Sequence, residues 1–118
     1  MRSRTLALAS LIFTAVVVAQ QPSAGDPAKG KDLFMKYNCY ACHGFSGQNG
    51  PGARLAPMKM PAAAFVAYVR APRTRQMPSY STKVLSDQQL TDIHAYVKTL
   101  PDSKPAKDVP ALDQFREK

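Results

Sequence analysis

The sequence predicts an all-α fold of three main helices joined by loops. Apolar residues recur at helical spacings of three and four positions in three separate stretches, and no stretch shows the alternation typical of a strand. Glycine and proline interrupt the chain between these stretches. Its 118 residues suffice for one small domain. A domain of this size buries little surface, so we expect a disulfide, a metal or a bound cofactor to add cohesion.

The first helix is expected to begin at Asp26-Pro27, because aspartate caps helices and proline is favoured at their first position. It should run to about Asn38. Gly30 lies on the side of its apolar face, and a glycine within a helix usually marks the close approach of another backbone. The apolar face consists of Leu33, Phe34 and Tyr37.

The second helix should extend from Pro61 to Arg70 or Ala71, because a proline follows directly and ends it. Its apolar stripe consists of Phe65, Val66 and Val69. Residues 44–61, which are rich in glycine and proline, should form a loop that wraps around something. Residues 73–83 should form a second loop.

The third helix has the clearest limits. Residues 86–89 form a Ser-Asp-Gln-Gln capping box, and Pro101 stops the helix. Its apolar residues are Leu90, Ile93, Val97 and Leu100. The helical domain therefore spans residues 26–101. The tail of residues 102–118 carries prolines and mixed charge, so it should lie extended on the surface or be mobile.

The N-terminus has the pattern of an export signal, in which two arginines precede an apolar run at residues 6–19. This run is shorter than the ~20 residues that a bilayer core requires. We expect cleavage after Ala19, so that residues 1–19 are removed and the protein is periplasmic. Retention of the segment as a membrane tether is the alternative. The polar residues 20–25 then form a linker.

Basic residues outnumber acidic ones and are unevenly distributed. The chain carries 16 lysines and arginines against 8 aspartates and glutamates. Residues 33–86 contain seven basic residues and no acidic one. An export signal removes the chain from nucleic acid, so this charge favours an acidic protein partner instead. The seven residues are Lys36, Arg54, Lys59, Arg70, Arg73, Arg75 and Lys83.

Residues 39–43 form a C-x-x-C-H sequence, a motif typical of covalent attachment of c-type haem. Two thiols on one turn of helix can form thioethers along one edge of the porphyrin, and the adjacent imidazole then lies beneath the iron. Neutral imidazole is a good donor to iron. We therefore expect Cys39 and Cys42 to bind one haem c, and His43 to be its proximal iron ligand.

Two other interpretations of the cysteines remain. A disulfide between Cys39 and Cys42 is compatible with an oxidising compartment, although so small a loop stabilises little. A thioredoxin-like redox pair would require a βαβ context, and the chain shows no strand pattern.

The opposite axial position of the iron requires a second donor. Met35 lies on the helix before Cys39 and cannot reach the other side of a haem, and His94, a lone histidine in the third helix, should be a partly exposed surface residue. Met77 follows the second helix, and Pro78 stiffens the backbone beside its sulfur. We expect Met77 to be the distal iron ligand. The remaining candidates, better suited to filling the core, are Met58 and Met60.

Several short motifs recur together along residues 26–100. They are Gly30 with Phe34, the C-x-x-C-H sequence, Gly50-Pro51, Met77-Pro78, and Ile93 with Tyr96. In this combination the chain resembles the class I c-type cytochromes, in the small bacterial monohaem branch.

The resemblance implies a cytochrome c fold, with three main helices and loops wrapped around one covalently bound haem. It implies that the glycine and aromatic residue of the first helix pack against the last helix. It also implies that Pro51 lies near His43 and accepts its ring N–H through a backbone carbonyl. Arg54 is a candidate partner for a haem propionate.

We expect a periplasmic electron carrier rather than an enzyme, because electron transfer needs a six-coordinate iron but no proton donor or substrate pocket. The expected partners are acidic redox proteins, with a dehydrogenase or quinol-oxidising complex as donor and a terminal oxidase as acceptor. The carrier should be a monomer that contacts a membrane only if its signal is retained. The alternative is a haem-bearing electron-transfer subunit of a specific dehydrogenase complex. A haem peroxidase or a nitrite-handling enzyme would need an open iron position, which Met77 disfavours.

Overall fold

The computed structural model describes residues 23–48 and 50–115. In these residues the chain forms four α-helices and two short 3-10 helices and contains no strand, so the all-α prediction is confirmed. The α-helices are α1 (Pro27–Lys36), α2 (Cys39–His43), α3 (Ala62–Arg70) and α4 (Asp87–Thr99).

The predicted export signal, residues 1–19, lies outside the described residues, as do residues 20–22 of the predicted linker. Among the helices that the structure describes, none combines the length and the apolar character needed to cross a membrane.

Helix α1 begins as its sequence predicts and ends slightly earlier. The Asp26 side chain accepts hydrogen bonds from the backbone N–H groups of Ala28 at 2.9 Å and Lys29 at 3.2 Å. The helix ends at Lys36 rather than near Asn38, because Asn38 adopts a left-handed conformation with φ of 56°. This turn separates α1 from the short helix that carries the two cysteines.

Helices α3 and α4 have the predicted limits. Pro61 precedes the first residue of α3, which ends at Arg70. At the start of α4, the Ser86 hydroxyl accepts from the Gln89 backbone N–H at 3.2 Å, and the Gln89 side chain accepts from the Ser86 backbone N–H at 2.8 Å. The capping box is therefore confirmed.

Helices α1 and α4 cross in close contact at Gly30. A Cβ atom at this position would lie 1.9 Å from the backbone oxygen of Asp92, so no side chain fits between the two helices. Phe34 of α1 packs edge-on against Tyr96 of α4, with ring centroids 5.4 Å apart. This crossing confirms the packing that the family resemblance implies.

The buried core lies between α1, α3 and α4. It consists of Phe34, Phe65, Val69, Leu85, Leu90, Ile93 and Val97. Around this core the structure gathers half-buried apolar side chains from α2 and from both long loops, including Cys39, Leu55, Met58, Met77 and Tyr80. The described residues of 44–61 contain no regular secondary structure, as the glycines and prolines predict.

The tail departs from a simply extended segment. It forms 3-10 helices at Ala106–Asp108 and Pro110–Phe115. Its described residues remain exposed except Val109, which is half-buried.

Candidate functional site

Helix α2 is a single turn that presents both cysteines and the histidine. Its start is tightened by a hydrogen bond from the Ala41 N–H to the Asn38 carbonyl at 3.0 Å. Both thiols are free, with Cys39 half-buried and Cys42 exposed, so the structure contains no disulfide between them. Two thiols and one imidazole thus lie together on one turn, as the motif predicts.

The Cys39 thiol faces the apolar interior. Burial raises the pKa of Cys39, and the neighbouring Cys42 thiol raises it further. The pKa of Tyr80 is also raised, first by burial and then by the charges of both cysteines. Tyr80, from the loop after α3, packs against the same core cluster as Cys39.

The imidazole of His43 is held in one orientation by the loop that follows it. Its Nδ1 atom lies 2.6 Å from the backbone oxygen of Ala53. Because a carbonyl oxygen can only accept, Nδ1 carries the proton and Nε2 keeps a free lone pair, as a metal ligand requires. The expectation that Pro51 supplies this carbonyl was wrong.

The geometry of the intervening turn explains this correction. The Gly52 N–H donates to the Cys42 carbonyl at 2.7 Å, and a Cβ atom on Gly52 would lie 3.1 Å from the His43 ring. The turn therefore lays Gly52 beside the ring edge and brings the next carbonyl, that of Ala53, to Nδ1. Pro51 is exposed.

Met77 is half-buried and packs against the same apolar cluster as Cys39. The loop that carries it is anchored three residues later, at Tyr80. The Tyr80 N–H donates to the Val69 carbonyl at 3.2 Å, and the Arg70 guanidinium donates to the Tyr80 carbonyl at 2.7 Å. Two hydrogen bonds to α3 therefore restrict the position of the methionine.

A second set of contacts ties this loop to the chain just before α2. The Tyr37 hydroxyl donates to the Val84 carbonyl at 3.0 Å. The rings of Tyr37 and Tyr80 meet edge-on with centroids 6.3 Å apart. Sequence reasoning assigned no role to these tyrosines at the site, since their partners are distant in the chain.

The other possible iron donors have different surroundings. Met58 packs against the core, as expected of a filler, whereas Met60 is exposed. His94 is only 6% exposed, so the expectation of a surface histidine was wrong. Its Nε2 lies 2.7 Å from the Met60 carbonyl oxygen, and its ring packs against Phe65. Its spacing from Leu90 and Val97, four and three residues away, was the available signal of burial.

Acids from outside the acid-free stretch neutralise two of its seven basic residues. Arg70 pairs with Asp87 at 2.5 Å, and Arg54 pairs with Asp102. Arg73, Arg75 and Lys83 are exposed, and none forms an ion pair within the part of the chain that the structure describes. Positive charge therefore flanks Met77 on both sides.

The side chains on α2, together with Met77, fit a covalently attached haem. They are the two free thiols, the His43 imidazole with its proton fixed on Nδ1, and the thioether of Met77, which lies in the same half-buried apolar cluster as Cys39. Residues 25–97 match the family model described as cytochrome c oxidase, cbb3-type, subunit III. The chain belongs to this c-type cytochrome family. The protein therefore carries covalently bound haem c and acts in electron transfer.

The cytochrome is also similar to curated proteins named cytochrome bc1 complex cytochrome c subunit. The protein of Corynebacterium diphtheriae is 35% identical over 91 residues, covering 73% of this chain and 29% of the relative. That of Mycobacterium tuberculosis H37Rv is 32% identical over 93 residues, covering 75% and 32%. The chain thus spans about a third of the length of these relatives. No solved structure gives a significant match.

Proposed function

We propose that this cytochrome carries single electrons through one haem, attached to Cys39 and Cys42, with His43 and Met77 as iron ligands. The observation that carries the proposal is the 2.6 Å contact from His43 Nδ1 to the Ala53 carbonyl, which leaves Nε2 free on the same turn as two unpaired thiols. The haem supplies, when bound, an iron that accepts and releases one electron.

The surrounding residues support Met77 as the second ligand. His94 Nε2 already meets the Met60 carbonyl at 2.7 Å, and the exposed Met60 side chain is not part of the apolar cluster. Met77 shares that cluster with Cys39, and the Arg70 bond to the Tyr80 carbonyl holds its loop. A donor held in this way changes position little, which favours electron transfer with small reorganisation.

The proposed setting is the periplasm, after removal of residues 1–19. The relatives are named as subunits of the cytochrome bc1 complex, and this supports a quinol-oxidising complex as electron donor. A terminal oxidase is the proposed acceptor. The exposed basic residues around Met77 favour acidic surfaces on these partners, and we propose that the carrier is monomeric.

A second candidate function is that of a haem-bearing subunit held permanently within a larger redox complex. The names of the relatives favour this candidate, because each denotes a complex subunit. The chain covers only 29 to 32% of the length of these three relatives.

Expression of the full chain in a bacterium that matures c-type cytochromes separates these functions. Periplasmic and membrane fractions are resolved by size exclusion, and the haem-containing species is identified by intact mass. The purified cytochrome is then mixed with membranes and a quinol, with and without an inhibitor of quinol oxidation.

A periplasmic monomer that is reduced in an inhibitor-sensitive manner supports the carrier. Stable coelution with a larger complex supports the subunit instead. Failure of quinol-supplied membranes to reduce the cytochrome contradicts the proposed donor.

A further inference from the structure

The segment that directly follows α4 is bonded to the loop that holds His43. The Gln48 amide donates to the Pro101 carbonyl at 2.5 Å. The Arg54 guanidinium donates to the Asp102 carboxylate and, at 2.8 Å, to the Ser103 hydroxyl. The Ser103 hydroxyl in turn donates to the Gln48 side-chain oxygen at 2.9 Å. Four side chains and one carbonyl therefore join two regions that are about fifty residues apart in sequence.

The Arg54 guanidinium also forms a hydrogen bond within its own loop. Arg54 Nε donates to the Ala56 carbonyl at 2.5 Å. The Gly47 carbonyl accepts from the backbone N–H groups of Leu55 at 2.7 Å and Ala56 at 2.9 Å. Residues 54–56 are therefore held on both sides, by Gly47 within the loop and by the segment after α4.

Ala53 lies between two anchors. On its N-terminal side, Gly52 bonds to the Cys42 carbonyl, and on its C-terminal side Arg54 bonds to Asp102 and Ser103. The first anchor belongs to α2 and moves with it. The second connects the loop to the segment after α4 and, together with the bonds to the Gly47 carbonyl, it fixes Ala53 relative to the rest of the domain.

We propose that Arg54 and Asp102 form a positioning pair that holds the Ala53 carbonyl against His43 Nδ1 and thereby sets the orientation and basicity of the proximal imidazole. This inference rests on the proposed role of His43 as iron ligand. It gives residues 101–103 a function in the haem site, and it assigns the Arg54 guanidinium to partners within the chain.

We expect the pair to fix the position of the Ala53 carbonyl rather than to stabilise the whole domain. Arg54 and Asp102 side chains are 46% and 63% exposed, and exposed ion pairs add little to the free energy of unfolding. A hydrogen bond from Nδ1–H to a carbonyl makes the imidazole a stronger donor, which favours ferric iron. Loosening the Ala53 carbonyl should therefore raise the reduction potential while leaving global stability nearly unchanged.

The test compares Arg54→Gln and Asp102→Asn with the wild-type holoprotein. The hydrogen-exchange rate of the His43 ring N–H is measured by NMR in the reduced state, together with the reduction potential. We expect about fivefold faster exchange in Arg54→Gln, with a higher potential. Asp102→Asn should raise the exchange rate and the reduction potential by smaller amounts. In Asp102→Glu both quantities should return to the wild-type values.

The matched control is Asp87→Asn, which breaks the Arg70–Asp87 pair near the Met77 loop. It should leave the exchange of the His43 ring N–H unchanged. Unchanged exchange in Arg54→Gln, or equal acceleration in Asp87→Asn, overturns the inference. If Arg54→Gln does not fold, the conservative Asp102→Asn decides by the same criteria.

The wild-type spectrum separates this inference from the function on which it rests. A His43 ring resonance shifted by the haem identifies the residue as ligand. If that shift is absent, the proposed ligation and the positioning pair both fail. If it is present and exchange does not respond to Arg54→Gln, the positioning pair alone fails.

Discussion

The Tyr37 hydroxyl donates to the Val84 carbonyl across 3.0 Å and so connects the two sides of the candidate haem site. Tyr37 lies two residues before Cys39, whereas Val84 lies at the end of the loop that carries Met77. The proposed thioether attachments and the proposed distal ligand are therefore coupled through one side chain. This coupling predicts that losing the hydroxyl weakens the hold on Met77.

Tyr37→Phe should destabilise the Met77 loop by about 1 kcal/mol, the usual net value of such a hydrogen bond. The change is measured by guanidinium titration, following both the sulfur-to-iron charge-transfer band and the helical signal. We expect the band to be lost at a lower denaturant concentration than in wild type. Tyr68→Phe, on α3, is the matched control, and an equal shift in both variants would contradict the assigned role of Tyr37.

Gly30→Ala should destabilise the whole domain. The added methyl would meet the Asp92 backbone oxygen at 1.9 Å, and rigid backbone on both helices cannot yield without separating α1 from α4. Overpacking of this kind typically costs about 1 to 3 kcal/mol. Thermal unfolding of the holoprotein measures the cost, and Lys31→Ala, at an exposed position of the same helix, should change stability by no more than ~0.5 kcal/mol. Similar melting temperatures for both variants would show that the crossing is looser than described.

Met77→Ala should abolish the charge-transfer band and lower the reduction potential, because a thioether ligand favours ferrous iron. Met58→Ala removes a thioether from the same apolar cluster and is the matched control. It should lower stability but retain the band. Loss of the band in Met58→Ala, with its retention in Met77→Ala, would reverse the ligand assignment.

Charge reversal beside Met77 should slow electron transfer to an acidic partner. The double variant Arg73→Glu/Arg75→Glu is compared with Lys104→Glu/Lys107→Glu, which makes the same charge change in the tail. Rates with a membrane oxidase preparation should fall with ionic strength in wild type, because the Debye length shortens to ~8 Å at physiological salt. Only the first variant should be slower at low salt, with its potential nearly unchanged. Equal low-salt rates for this variant and wild type would exclude a docking role.

Local patterns in the sequence were sufficient to predict the limits of two of the helices. The Ser86 capping box and the proline after Arg70 act over a few residues, so the limits of α3 and α4 could be predicted without tertiary information. The early end of α1 could not be predicted in this way, because it depends on the left-handed backbone conformation of Asn38. That conformation is set by the turn into α2 rather than by any spacing of apolar residues.

The sequence predicted which side chains would form the candidate site, but not the contacts that hold them in place. C-x-x-C-H predicts Cys39, Cys42 and His43 as site residues directly, whereas the carbonyl that meets His43 depends on how the Gly50-Pro51-Gly52 turn folds. Arg54 has its partner at Asp102, and no local pattern links residues so far apart. These contacts required three-dimensional structure.

The most direct test of the central claim is a redox titration of the purified holoprotein, combined with the intact mass of the denatured chain. We predict a one-electron titration curve and a mass increased by one haem that denaturation does not remove. The Cys39→Ala/Cys42→Ala variant should lack this increment. A chain that releases its haem on denaturation, or a titration that requires more than one electron per chain, would contradict a single-electron carrier with haem attached at Cys39 and Cys42.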